Sequence, residues 1–239
     1  MGALLAGTAM GLPTAEELLA KMTEKVNQVK SFEAQMKVTT ETPGHKDTDT
    51  AHMAMEKAEV GGKQVERILI AAKITKVRAD GKEETGEEMI VNDGVFVWGQ
   101  RRARGSETIK VRKDAAETMG VGWWAKEMNG MNRQRWGRFE LAVVGEDVIE
   151  GQKMYVLEGK AKEAQPGQPG PERRRKIWVG QEDLLVHRDV TTTAGEDPAK
   201  RRVETLEFSE IKVDQKVDPA LFKYTPPAGV EVEDRTAGK

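Results

Sequence analysis

From Ala15 onward the apolar positions fall at helical spacing: Ala15, Leu18, Leu19, Met22, Val26 and Val29 occupy i, i+3, i+4, i+7, i+11 and i+14. One stripe at that period predicts an amphipathic helix from Thr14 to Lys30, with Glu16, Lys21, Glu24, Lys25 and Gln28 on its wet side. Thr14 and Glu17 have the spacing of a capping box, and Pro13 stands just ahead of it. The period then switches to two. Phe32, Ala34, Met36 and Val38 alternate with Glu33, Gln35, Lys37 and Thr39, which predicts a strand with one dry face. Thr42-Pro43-Gly44 ends it.

More alternation follows at Ala51, Met53 and Met55, and again from Val65 to Ala71. Glu88 to Val91 and Val95 to Trp98 flank Asn92-Asp93-Gly94, a hairpin signal whose residues tolerate positive φ. Period two puts Phe96 and Trp98 on one face. Between Asp114 and Trp136 the pattern breaks. Asp114 can cap a short helix through Met119, after which Trp123, Trp124, Met128, Met131 and Trp136 stand among glycines and asparagines. This stretch reads as short helices and loop rather than sheet. Strand-like runs resume at Phe139–Val144 and Met154–Leu157. After the exposed proline-glycine loop 164–171 they continue at Arg173–Val179, Leu184–Thr193 and Arg202–Val213. About eleven half-buried strands joined by turn signals predict a mainly β chain with some α: one curved antiparallel half-barrel covered by the N-terminal helix and a short helical lid.

Composition narrows the class. The chain has 239 residues, 38% of them hydrophobic and 33% charged, with a net charge of −2. That balance gives no basic field for nucleic acid. The absence of cysteine excludes a disulfide framework and a thiolate metal site. No apolar run reaches the roughly 18–20 residues that span a bilayer. The uncharged start 1–13 (MGALLAGTAMGLP) reads as the back end of a secretory signal or as a disordered tail. The folded domain is expected over 14–234, with a disordered tail at 235–239.

Candidate catalytic chemistry is thin. His45 and His52 lie near a turn without convergent ligands, so no metal and no cofactor is expected. His187-Arg188-Asp189 matches three residues of a kinase catalytic loop, but the asparagine partner, glycine-rich loop and Asp-Phe-Gly element are missing. Ser31, Ser106 and Ser209 sit in no nucleophile elbow. The pairs Glu83-Glu84 and Glu87-Glu88 read as a solvated edge. The run Arg173-Arg174-Arg175-Lys176 reads as charge protection of an edge strand or as a contact for an acidic surface. A non-enzymatic role is the expectation.

The C-terminal end is the most specific part. Asp218-Pro219-Ala220-Leu221-Phe222 is followed by Tyr224-Thr225-Pro226-Pro227-Ala228-Gly229-Val230. Two successive prolines force an extended segment outside any sheet centre. These residues resemble the terminal signature of the outer-membrane lipoprotein carriers, the LolA-like family. The opening Ala15-Glu16-Glu17-Leu18-Leu19 helix, the Val91–Trp98 hairpin and Ile177-Trp178-Val179 with Leu184-Leu185 are similar to its other elements. The region Lys73–Asp80 departs from the family's arginine-bearing strand, and the lid-arginine role is not carried over to Arg78. The resemblance implies a periplasmic, monomeric carrier that shields acyl chains of lipoproteins or lipids in an apolar cavity, with inner- and outer-membrane transfer proteins as partners. The same fold also serves envelope-stress regulatory sensors, which is the alternative function. The expected cavity walls are Met36, Val38, Phe96, Trp98, Trp123, Trp124, Met128, Trp136, Trp178 and Phe208. Methionine and tryptophan supply large, adaptable apolar surface there.

Overall fold

The computed structural model describes residues 11–77, 80–106, 108–116, 119, 136–162, 172–194 and 201–236. Helix α1 spans Ala15–Gln28. Thr14 is its N-cap: the Thr14 hydroxyl oxygen accepts from Glu17 N–H, and the Glu17 carboxylate accepts from Thr14 N–H at 2.8 Å. The Thr14 N–H, and then the Thr14 hydroxyl donating to the same carboxylate at 3.0 Å, hold the Glu17 carboxyl below its usual range. Twelve strands follow: β1 Ser31–Thr42, β2 His45–Val60, β3 Lys63–Val77, β4 Glu83–Asn92, β5 Phe96–Arg102, β6 Ile109–Ala115, β7 Phe139–Ile149, β8 Gln152–Ala161, β9 Glu172–Gly180, β10 Val186–Ala194, β11 Arg202–Val213 and β12 Val232–Asp234.

They form one open, curved sheet in the order β12-β6-β5-β4-β3-β2-β1-β11-β10-β9-β8-β7. Every neighbouring pair is antiparallel except β12 with β6. The β4–β5 turn is closed by its own side chains. Asn92 Oδ1 accepts from Gly94 N–H, and Asp93 Oδ1 accepts from Val95 and Phe96 N–H. Of the three turn residues Gly94 alone takes positive φ, at 93°.

Helix α1 lies on one face of the sheet, the helix face. Its buried residues Leu18 and Met22 pack with Leu157, Ile177 and Val179 of β8 and β9. Val26 and Val29 pack with Phe32, Met53, Met55, Ile68 and Phe208. Each such side chain contributes roughly 1.5–3 kcal/mol on leaving water. The opposite, outer face is covered over β2–β5 by the C-terminal segment. Val217, Leu221, Phe222 and Tyr224 pack there on Ala54, Leu69, Val91 and Trp98. Asp218 caps the 3-10 turn Pro219–Phe222, its carboxylate accepting from Ala220 N–H at 2.9 Å.

Two expectations are corrected. Among the described residues the sheet has twelve strands rather than about eleven, and Asp114 does not cap a helix. It lies in β6 opposite Val97, and its carboxylate accepts from Arg112 Nε at 2.6 Å. Sheet pairing takes the backbone that a cap would have used, and β6 was hidden because its few apolar residues stand among charges. The expected short helical lid falls outside the described residues, except for Met119 and Trp136. Among the described residues α1 is the one α-helix with a described range, and Trp136 has helical backbone. The proline-glycine loop 164–171 and the tails 1–10 and 237–239 also lie outside them.

Strand β7 curls tightly over β8. A Cβ built at Gly159 would run into the Glu140 carbonyl group and lie 3.0 Å from Leu141 Cα. Gly145 has open space at the same place. Gly159→Ala should therefore destabilise by about 1–3 kcal/mol through forced strand displacement. Gly145→Ala should stay within about 1 kcal/mol of wild type, with urea midpoints as the measurement.

Candidate functional site

Cross-strand register decides which expected wall residues share a face. Met36 stands opposite Phe208 on β11 and Ala51 on β2, and Ala51 stands opposite Ala72 on β3. Met36, Val38 and Phe208 therefore face α1. Phe208 is in the buried cluster beneath the helix end, and Met36, Ile70, Ala72, Met119 and Leu206 are half-buried around it. Val38 continues that surface, opposite Leu206 and Asp49.

Phe96 and Trp98 lie on the other side. Trp98 is opposite Val91, which is opposite Leu69, and all three belong to the outer-face cluster. Trp98 packs against Tyr224 with ring centroids 5.3 Å apart, and Phe96 meets Trp98 edge-on at 6.3 Å. Their expected place in the cavity is corrected: alternation puts the pair on one face, and the C-terminal segment claims that face. Burial raises the Tyr224 phenol, whose O–H donates to Gln100 Oε1 at 2.8 Å.

Trp178 is corrected in the same way. Its neighbours Ile177 and Val179 face α1, while Trp178 packs on the outer face with Met154 and Val156. Its indole N–H donates to Asp147 Oδ2 at 2.9 Å, and the cations of Lys176 and Arg188 lie 5.1 and 5.6 Å from the ring. That indole bond, then the Val148 N–H, holds the Asp147 carboxyl below its usual range. Trp123, Trp124 and Met128 lie outside the described residues.

Two expected residues line formed cavities: Trp178 borders one of about 440 Å³ with Lys176, Val190 and Thr192, and Trp136 borders a larger one beside α1. A groove of about 730 Å³ runs between the first half of α1 and the first half of β7. Ala15, Leu19 and Ala20 line it from the helix, and Trp136, Phe139 and Leu141 line it from the sheet side. Behind the Trp136 indole lies a polar pair that the sequence reading missed. Arg175 and Asp189, 6% and 5% exposed, form a two-pronged ion pair on the helix face, with Nε donating to Oδ1 at 2.7 Å and Nη2 donating to Oδ2. Trp136 Nε1 donates to Asp189 Oδ2 at 3.4 Å, and the Arg175 guanidinium lies 5.4 Å from the Phe139 ring. The available signal was parity. Arg175 and Asp189 alternate with the outward residues Arg174, Lys176 and Arg188, so a run of four basic residues had to put two of them, Arg173 and Arg175, on the inward side.

At the far end of the helix face, Asp49 stands opposite Val38 and Ile74. Burial pushes its carboxyl up, the neighbouring Arg104 charge pulls it down, and Asp47 adds to the upward shift. His187 is turned to a structural task, contacting Asp183 Oδ2 at 2.8 Å across the β9–β10 turn. Among the described residues no group of three histidine or carboxylate ligands could hold a metal. No helix among them is long and apolar enough to cross a membrane.

No family model matches the chain. It is 24% identical over 234 residues to an uncharacterized protein of Methanocaldococcus jannaschii, a match that covers 97% of this chain and 57% of that protein. The chain thus spans little more than half the length of that curated relative. Among solved structures it is similar to LprF from Mycobacterium bovis, at 13% identity and a TM-score of 0.46, over 87% of this chain and 97% of that one. It is also similar to a LolA superfamily protein from Nitrosomonas europaea, at 13% identity and a TM-score of 0.29, over 89% and 99% of the two chains. At these identities and TM-scores the matches assign no activity.

The geometry generates two predictions. Arg175→Ala strands the Asp189 charge in the interior and should cost about 3–5 kcal/mol in urea denaturation. Replacing the pair together by Met and Leu should recover most of that loss. Asp49 behaves oppositely to a salt-bridged carboxylate. With its folded value raised, its contribution to stability is present below the unfolded value and is lost as pH rises through the folded one. Asp49→Asn should therefore raise the urea midpoint at neutral pH, and the two proteins should converge in acid.

Proposed function

We propose that this chain is a non-catalytic carrier that holds the acyl chain of a lipoprotein or lipid against its helix face. The observation that carries the reading is the groove between α1 and β7, walled by Leu19, Trp136, Phe139 and Leu141. Its size falls within the roughly 300–1,000 Å³ typical of small-molecule sites, and its lining is mainly apolar with charged groups at few points. Each methylene that enters such a groove contributes roughly 0.8 kcal/mol. The half-buried surface of Met36, Ile70, Ala72 and Leu206 adds apolar area on the same face.

The lining supports binding rather than catalysis. The titratable residues along the groove are Glu16, Glu140 and Lys162, and the Lys162 ammonium donates to the Gly137 carbonyl at 3.1 Å. Such a set offers no nucleophile with an adjacent base. In this reading the protein works in the periplasm or cell envelope as a monomer. It takes its acyl cargo from one membrane transfer protein and delivers it to another towards the outer membrane.

Ala20 is exposed on α1 and borders the groove, so a large side chain there fills the site without touching the core. Ala20→Trp should weaken binding of a fluorescent fatty acid about tenfold, equivalent to roughly 1.4 kcal/mol. The circular dichroism should be unchanged, and Lys21→Ala should bind as wild type. Equal affinity in wild type and Ala20→Trp, or no binding by either, removes the reading.

A further inference from the structure

An open sheet has two edges, and this one treats them differently. The β12 edge is three residues long and carries Glu233 and Asp234. The β7 edge is eleven residues long, and β8 is its one sheet neighbour among the described residues. Short, charged edges resist pairing, whereas long edges with exposed β-branched residues invite it. Val144 and Val148 are 54% and 60% exposed, and they are among the few large hydrophobic residues so exposed. The Val148 N–H is bonded to the Asp147 side chain at 2.8 Å rather than to β8, so it points out of the sheet. A ladder donor is thus held at the edge by a replaceable side chain.

The charge on β7 selects the partner. Phe139–Ile149 contains Glu140, Glu146 and Asp147 and no lysine, arginine or histidine. Pairing with a second copy in these registers would set acid against acid: a two-fold axis at Glu146 or at Asp147 opposes that residue to its own copy, and one between Val143 and Val144, across the bulge, opposes Glu140 to Asp147. Like charges across a ladder destabilise it and opposite charges stabilise it.

We propose that the outer edge of β7, around Val144 to Val148, docks an extended, lysine- or arginine-bearing segment of a partner polypeptide, which adds to the sheet as a further strand. A carbonyl of the incoming strand replaces the Asp147 carboxylate on Val148 N–H. Asp147 keeps its bond from the Trp178 indole, and its charge meets the basic side chains of the segment. Main-chain pairing supplies affinity and the alternating side chains supply selection. The site does not depend on the acyl groove, although the first half of the same strand lines that groove.

The test uses the full chain with two fluorescein-labelled, amidated peptides, Lys-Val-Lys-Val-Lys-Val-Lys and its glutamate counterpart. Fluorescence anisotropy near physiological ionic strength should show the lysine peptide binding at least about tenfold more tightly. Hydrogen exchange at Val148 should slow when it binds. Val148→Pro removes the donor and should weaken binding about tenfold with an unchanged circular-dichroism spectrum. The double variant Val144→Lys/Val148→Lys reverses the local charge and should give a similar loss, which keeps the test decisive if the proline variant fails to fold. No binding of the lysine peptide, equal binding of both peptides, binding without protection of Val148, or self-association of the chain in sedimentation would each overturn the proposal.

Discussion

The central strands of this sheet are apolar on both faces, and that constraint organises the molecule. On β2 and β3, Met53, Met55, Ile68 and Ile70 point one way while Ala54, Leu69 and Ala71 point the other. An open sheet cannot bury both sets by itself. The chain solves this with its two ends. Helix α1 precedes the first strand and covers one face, and the segment Val217–Tyr224 follows β11 and covers the other. The proline-rich signature thus has a mechanical reason: an extended segment without sheet pairing can lie across strands as a cover. The hydroxyl of Tyr224 and the cap of Asp218 satisfy its polar groups at either end.

Away from the centre the same problem has a different solution. On β8–β10 the outer face is roofed by long charged side chains. Lys176 and Arg188 lie over Trp178, and each is ion-paired at 2.7 Å, to Glu158 and Glu207 respectively. The charged ends themselves lie over the ring face, and their carboxylate partners keep them there. On the helix face the roof is the first half of α1 with Trp136, and beneath it sits the Arg175–Asp189 pair. A buried pair of this kind adds little net stability over apolar residues of similar volume. Its geometry gives it another use: Asp189 fixes the Trp136 indole, and Trp136 is a wall of the groove.

Helix α1, its capping box, the first strand and the β4–β5 turn were legible because each is specified by neighbours within a few residues. Strand β6 was not, since Lys110, Arg112 and Lys113 mask its alternation and Asp114 mimics a helix cap. Face assignment was the larger limit. Period two ties Phe96 to Trp98, but which side faces α1 is set by the register chain from Trp98 through Val91 and Leu69 to Ala54. That information is spread over four strands. Trp178 failed for a related reason: β9 is apolar on both sides, so its composition does not tell the outward tryptophan from the inward Ile177 and Val179.

A groove of this kind needs something to keep it open, and the residues facing it show what does. On the helix side Ala15, Ala20 and Thr23 are small, Leu19 is the one large apolar wall residue, and Glu16 is exposed to solvent. The Thr23 hydroxyl donates to the Leu19 carbonyl at 2.9 Å, so it adds no unsatisfied polar group to the cavity. On the sheet side, the close approach of β7 at Gly159 carries Phe139 and Leu141 beside the helix rather than away from it. Larger side chains at the alanines would complete an ordinary helix-on-sheet core and gain the burial that goes with it. The combination of a close strand, small helix residues and a buried anchor for Trp136 leaves that gain unrealised at one end of α1, while the other end, at Val26 and Val29, is fully packed. An apolar wall beside a vacant volume lowers the free energy of any acyl chain that enters it. It does so beside β7, the outermost strand of the sheet among the described residues.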